Sequence, residues 1–269
     1  DNRGATALTR ASDRGRVEVV RLLLKASART DLAVDHVGET ALARACSYKN
    51  SQSQAVEIAR LLLQAGANKD AAANRHGDTA LIRAADCGNV KVARLLLEAG
   101  ADKDRANNHG STALIRASAG GHVKLVRLLL EAGADKDIAD KGEPKRGGTA
   151  LMIASERGHV EIVRLLLEVG SDKELADKGG FTALIKAACH GHDEVVRFLL
   201  EDGATKDTTN CNGNTALMMA SEHGHAEIVR LLLEAGADKD LTNTSGFTAL
   251  IKASGQGHLQ PVCLLLEAG

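Results

Sequence analysis

The eleven residues RLLLEAGADKD occur at 94–104, 127–137 and 230–240, and RLLLEVGSDKE follows the same pattern at 164–174. The triplet Thr-Ala-Leu recurs as well, with its threonine at Thr6, Thr40, Thr79, Thr112, Thr149, Thr182, Thr215 and Thr248. The intervals are 34, 39, 33, 37, 33, 33 and 33 residues. A period near 33 constrains the fold more than any other feature of the chain. Each repeat is one small packing unit, and its apolar face is buried only when a like unit stacks against it. The repeats run over about 1–34, 35–73, 74–106, 107–143, 144–176, 177–209, 210–242 and 243–269, as a single domain over 1–269.

Residues 210–242, NCNGNTALMMASEHGHAEIVRLLLEAGADKDLT, show what one repeat encodes. Asn210 and Gly213 supply turn chemistry. Thr215 is a suitable N-cap for a short helix from Ala216 to about Glu222. Gly224 stops that helix, and His225 opens a second one ending near Glu234, with Gly236 as its C-cap. Ile228, Val229, Leu231, Leu232 and Leu233 make the second helix apolar around most of its circumference. So short and apolar a helix is unstable alone and needs neighbours on both sides. The small residues Ala216, Ala220 and Ala235 let adjacent layers approach. Aromatic residues make up 1% of the chain, with three Phe, one Tyr and no Trp. Many thin aliphatic layers suit that composition better than one large globular core.

The pattern Asp/Asn-x-x-Gly-x-Thr-x-Leu, then Ala, then Gly-His, then an aliphatic run and Gly-Ala-Asp, resembles the ankyrin repeat over essentially the whole chain. GHVKLVRLLLEAGAD (121–135) and GHAEIVRLLLEAGAD (224–238) carry the likeness most strongly. The resemblance implies an all-α, ankyrin-type helical-repeat solenoid. Each repeat would be a pair of antiparallel helices followed by a short β-hairpin finger, with a concave face formed by fingers and first helices. It also implies a protein-binding scaffold or recognition array, the alternative being a spacer or targeting module of a larger protein. Two departures stand out. Ile82, Ile115, Met152, Ile185, Met218 and Ile251 replace the family's histidine with apolar contact. The family's terminal Asn is Asp70, Asp104, Asp137, Asp207 or Asp240, or Glu174.

Several function classes fit poorly. The net charge of −1 gives no general attraction to nucleic acid or to a membrane surface. Base-stacking aromatics are also lacking. No apolar run approaches the ~20 residues needed to cross a bilayer. The serines, carboxylates and glycines fall at fixed repeat positions and form no catalytic constellation or phosphate loop, so neither an enzyme nor a cofactor is expected. Cys189, His190, His192, His223 and His225 match no closed zinc spacing, and no metal is expected. Five scattered cysteines without a CxxC suggest free thiols, hence an intracellular, cytoplasmic setting. The chain starts at Asp1 rather than Met, which suggests a fragment or a processed product.

Candidate binding residues come from one repeat position. The fifth residue of the first-helix motif is Arg10, Arg44, Arg83, Arg116, Ile153, Lys186, Met219 or Lys252. Stacked about 10 Å apart, these cations would form a ladder on the concave side. Two readings remain open. Each cation pairs with a local acid such as Asp13, Asp86 or Glu156, or snorkels over the layer below. Alternatively Arg83, Arg116, Lys186 and Lys252 receive an acidic segment of a partner, with Ile153 and Met219 as apolar anchors between them. The two residues after the next alanine vary most between repeats, which adds Glu156, Arg157, His190 and His223 as contact candidates. A monomer is expected. Two insertions, SYKNSQSQ at 47–54 and DKGEPKRGG at 140–148, read as surface loops or contact loops. The second is basic through Lys141, Lys145 and Arg146 and lies in a finger.

Overall fold

A computed structural model describes residues 6–31, 39–46, 52–72, 74–141 and 147–269. Those residues are helical throughout, apart from turns and single bridge residues at Asp140 and Gly148. The chain divides into two compact units, Asp1–Asp140 and Lys141–Gly269. The first holds α1 (Ala7–Asp13), α2 (Val17–Lys25), α3 (Ala41–Ala45), α4 (Gln52–Gln64), α5 (Ala80–Asp86), α6 (Val90–Glu98), α7 (Ala113–Ala119) and α8 (Val123–Glu131). The second holds α9 (Ala150–Glu156), α10 (Val160–Glu168), α11 (Ala183–His190), α12 (Asp193–Glu201), α13 (Ala216–His223), α14 (Ala226–Glu234), α15 (Ala249–Gln256) and α16 (Leu259–Glu267). Odd-numbered helices are the first helices of their repeats. Within each unit they pack on the first helices of adjacent repeats, and second helices pack on second helices.

The repeated threonine starts every first helix. Each one's Oγ1 accepts the backbone N–H three residues on, from Thr6 receiving Thr9 to Thr248 receiving Ile251. Such a cap contributes about 1 kcal/mol per helix. First helices then close on glycine where the turn demands a left-handed residue, as at Gly224 with φ 78°. In the 210–242 repeat the first helix runs one residue past the expected Glu222, to His223. The second ends at Glu234 as expected, with Ala235 as its last cap and Gly236 left-handed after it.

Burial follows the layers. Ile82, Ile115, Met152, Ile185 and Met218 are almost fully buried, so this repeat position makes apolar contact between layers. The comparison within the series shows what buries them. Ile185 is 1% exposed, whereas Ile251, on the last first helix, is 48% exposed. Ala216 and Ala220 sit in the layer interface. Ala235 does not: it is exposed at the end of α14, where the chain turns outward, and it plays no part in layer spacing. The four-residue surplus of α4 corrects the reading of the first insertion. Residues 52–54 form the opening turn of α4 rather than loop, and residues 47–51, with Tyr48, lie outside the described residues. The same holds for 142–146 of the finger insertion.

The fingers are stitched by polar groups. Asn210 closes its own turn: its N–H donates to the Asn214 carbonyl at 3.0 Å, and its Oδ1 accepts from Asn212 and Asn214 N–H. The next finger bonds to it, through Thr244 N–H to the Asn212 carbonyl at 3.1 Å. The acids that end the repeats bridge each one to the next. Asp70, Asp104, Asp207 and Glu174 accept the N–H of Asp102, Asp135, Asp238 and Thr205 at 2.7–3.0 Å.

All five cysteines are free thiols. Cys46 is wholly buried, and that burial, with help from neighbouring Cys87 and against Arg83, pushes its pKa up to about 12. It is a packing residue, inert at neutral pH.

Candidate functional site

Arg83 and Arg116 belong to the first compact unit, on α5 and α7. Ile153, Glu156, Arg157, Lys186, His190, Met219, His223 and Lys252 belong to the second, on α9, α11, α13 and α15 and the turns after them. In three of the variable pairs the second residue is the exposed one: Arg157, His190 and His223 face solvent, while Glu156, Cys189 and Glu222 are half-buried. Met219 is buried, contrary to its expected role as an exposed anchor, because α13 packs between α11 and α15. Ile153 is half-buried.

The cations do not project as a row of bare charges. Each cation in an even-numbered repeat reaches an acid at the end of the preceding first helix. Arg44 Nη1 is 3.4 Å from Asp13 Oδ1, and Arg116 Nη1 is 4.0 Å from Asp86 Oδ1. Lys186 Nζ is 2.8 Å from Glu156 Oε2, and Lys252 Nζ is 2.7 Å from Glu222 Oε2. The pattern alternates. Even-numbered repeats have no acid at the corresponding place, which holds Ala119, Cys189 and Gly255, and two odd-numbered repeats replace the cation with Ile153 or Met219. At the first-helix ends this pair joins repeats two by two within each compact unit, whereas Glu39 links the second repeat to the third.

Two acids that the sequence did not single out complete this arrangement. Buried Glu39 pairs with Arg44 through Nε and lies 3.6 Å from Arg83 Nη2. Asp177 is buried to the last atom of its side chain. Its Oδ1 accepts Gly179 and Phe181 N–H at 2.8 and 3.0 Å. Its Oδ2 faces Lys186 Nζ at 3.1 Å and, among the described residues, has no other hydrogen-bond partner. Lys186 thus lies between two carboxylates, with its ammonium 5.9 Å from the Phe181 ring centroid. A signal was present in the sequence: Asp177 stands where other repeats carry Asn74, Asn107, Asn210 and Asn243. Arg116 is the least committed cation, since its Nε has no hydrogen-bond partner and its acid is 4.0 Å away.

The histidines divide into two kinds. His190 and His223 cap their own helices, each donating Nδ1–H to the carbonyl four residues back at 2.9 and 2.8 Å. His122, His192, His225 and His258 reach back one repeat, each donating Nε2–H to a carbonyl at 3.0–3.3 Å. Their rings lie against Gly88, Gly158, Gly191 and Gly224, where a Cβ would come within 2.8 Å of the imidazole. Among the described residues no three His, Cys, Asp or Glu side chains are grouped to hold a metal ion.

Burial lowers the pKa of His225, against its bond to the Cys189 carbonyl and with help from nearby His223, His192 and His190. A histidine whose folded pKa is depressed contributes stability that is complete above its unfolded value, about 6.5. That stability is lost as pH falls through the folded pKa. Hydrogen exchange should therefore show α13 and α14 losing protection between pH 7 and pH 5. Asn89 occupies the matching place in the third repeat. His225→Asn should lose less protection than the parent over the same range, and an equal loss would remove His225 as the cause.

Ankyrin repeats are in general protein–protein interaction modules. Among the described residues no helix is long and apolar enough to cross a membrane. No curated protein matches the sequence. A protein family described as ankyrin repeats (3 copies) matches residues 1–73, 52–140, 138–210 and 203–269. With capped helix pairs, left-handed glycines and stacked layers recurring in register with those matches, the chain belongs to the ankyrin-repeat family.

Proposed function

We propose that this chain, acting as a monomer and as one domain over residues 1–269, recognises a protein partner with its first helices, the turns after them and its finger tips. The carrying observation is where the repeats differ. Capping, core and finger-bonding positions recur, whereas Arg157, His190 and His223 occupy one exposed position that holds Arg14, Gly120 and Gln256 in other repeats. Packing does not require that variety. The surface is formed before binding, so little ordering cost falls on the array. The activity is binding rather than catalysis, and the free thiols suit a reducing, cytoplasmic setting.

The partner chemistry differs between the compact units. Arg83 and Arg116 favour an acidic segment, Arg116 above all. The second unit presents Arg157, His190 and His223 at the surface, with half-buried Ile153 and buried Met219 beneath them, while Lys186 and Lys252 hold acids of their own chain. A mixed polar and apolar segment fits there. Exposed ion pairs contribute about 0–1 kcal/mol each, so added salt should weaken the complex without abolishing it.

Affinity capture with the full chain, followed by titration of the captured partner, tests this reading. Arg116→Glu/Arg157→Glu should weaken binding about tenfold, about 1.4 kcal/mol. Arg164→Glu/Arg230→Glu, on second helices, should change it less than about twofold. Equal losses would leave the finger tips as the site. Absence of any saturable partner would favour a spacer role.

A further inference from the structure

Second helices carry an arginine at one position in seven repeats: Arg21, Arg60, Arg94, Arg127, Arg164, Arg197 and Arg230. In five of these the residue three places earlier is glutamate: Glu18, Glu57, Glu161, Glu194 or Glu227. Glu18, Glu57 and Glu161 pair with the arginine of their own helix at 3.6–3.8 Å, and Glu227 pairs with Arg230. The helices α6 and α8 depart from this rule together, with Lys91 and Lys124 in place of glutamate.

Both lysines are poor choices for the fold. Each is the second residue of its helix, where the positive end of the helix dipole favours an acid. Of the eight second helices α2, α10, α12 and α14 have an acid in that first turn and α4 and α16 have none, but α6 and α8 alone place a lysine there. Each lysine also lies one turn from an arginine of the same charge, which repels it. Among the described residues Lys91, Arg94 and Lys124 form no ion pair that offsets this. The two helices pack on each other in the first compact unit. Lys91, Arg94, Lys124 and Arg127 are all exposed. At a layer spacing of about 10 Å Lys91, Arg94 and Lys124 lie near one Debye length of one another and act as one positive patch. Glu98 and Glu131 sit one turn beyond the arginines, so the patch has an edge rather than covering the helices.

We propose that α6 and α8 form a second docking surface, apart from the first-helix face, for an acidic segment of a protein partner. Carboxylates spaced to meet two layers would engage Lys91 and Arg94 on one helix and Lys124 on the next. A membrane is a poorer fit, because the exposed large apolar residues Val19, Leu22, Val169, Phe247, Ile251, Leu259 and Leu266 all lie off these two helices. Nucleic acid is a poorer fit, because the patch is small, no aromatic accompanies it and the chain carries a net charge of −1.

The test uses the full chain and a fluorescent peptide of alternating Glu and Ser, read by anisotropy at low ionic strength. The peptide should bind, and its Gln-Ser counterpart should not. Lys91→Glu/Lys124→Glu should weaken binding about tenfold or more and raise the melting temperature, because the same changes restore acids to two helix N-termini. Lys91→Gln/Lys124→Gln should fall between. Arg164→Glu/Arg197→Glu should alter affinity less than about twofold. Equal losses in the two Glu pairs would overturn the proposal. So would a fall in melting temperature for Lys91→Glu/Lys124→Glu, which would show that the lysines serve the fold. Lysine-dependent binding of phosphatidylserine vesicles or of an oligonucleotide as tight as the peptide's would overturn the choice of partner.

Discussion

Lys186→Met is expected to destabilise the second compact unit by about 3–5 kcal/mol, the usual cost of removing one member of a buried ion pair. The reason is Asp177 rather than Lys186. With the ammonium gone, the fully buried Asp177 carboxylate keeps its two backbone donors on Oδ1 and loses the only group facing Oδ2. Lys252→Met is the informative comparison. Lys252 is no more exposed than Lys186, with both side chains at 9%, yet its acid is Glu222, which is 33% exposed and can turn to water. Its loss should cost about 1 kcal/mol or less. Asn replaces Asp177 in other repeats, so Lys186→Met/Asp177→Asn should regain all but about 1 kcal/mol. Urea unfolding of the four proteins reads this directly. A cost for Lys186→Met no greater than that for Lys252→Met would mean that Asp177 does not depend on the lysine.

Gly180→Ala should cost about 2–3 kcal/mol more than Gly246→Ala, the difference coming from overpacking against backbone. Both glycines occupy the same finger position, and both are left-handed, with φ of 74° and 80°. Each substitution therefore carries the same conformational cost, about 1–2 kcal/mol. Their surroundings differ. A Cβ on Gly180 would lie 2.7 Å from Cys211 N and 2.9 Å from Asn210 Cα, both backbone atoms of the next finger, while Gly246 meets nothing within 4 Å. Equal costs, measured by urea midpoints at unchanged slope, would show that the finger backbones separate without resistance.

The layer architecture was readable because it rests on residues that act locally. Thr215 caps its own helix, Gly224 must be left-handed, and Met218 needs only a like neighbour. The ladder was harder to read, because its meaning depends on what lies one repeat away. Arg116 and Lys186 look alike in the sequence, yet one guanidinium is loosely held by a half-exposed acid and the other cation is enclosed by two carboxylates. That difference comes from Asp177, nine residues before Lys186 and in another part of the repeat. Met219 was misplaced for a related reason. Its position is lined by charged residues elsewhere, but a methionine there folds into the layer. The burial of Glu39 was not legible at all, since a glutamate beside a cap reads as solvent-facing until two arginines from adjacent repeats close over it.

The acid–base pairing of odd-numbered with even-numbered repeats limits how an array of this kind can change length. Repeats 5 and 6 recur as repeats 7 and 8 at an offset of 66 residues, with Thr149 matching Thr215 and Thr182 matching Thr248. Copying or deleting two repeats keeps each even-repeat cation over an acid of the preceding first helix. Losing a single one does not: without the sixth repeat, Glu156 would meet Met219, and without the seventh, Lys252 would meet Cys189. A change of one repeat therefore costs a pair at the new junction, and a change of two repeats keeps the pairs intact.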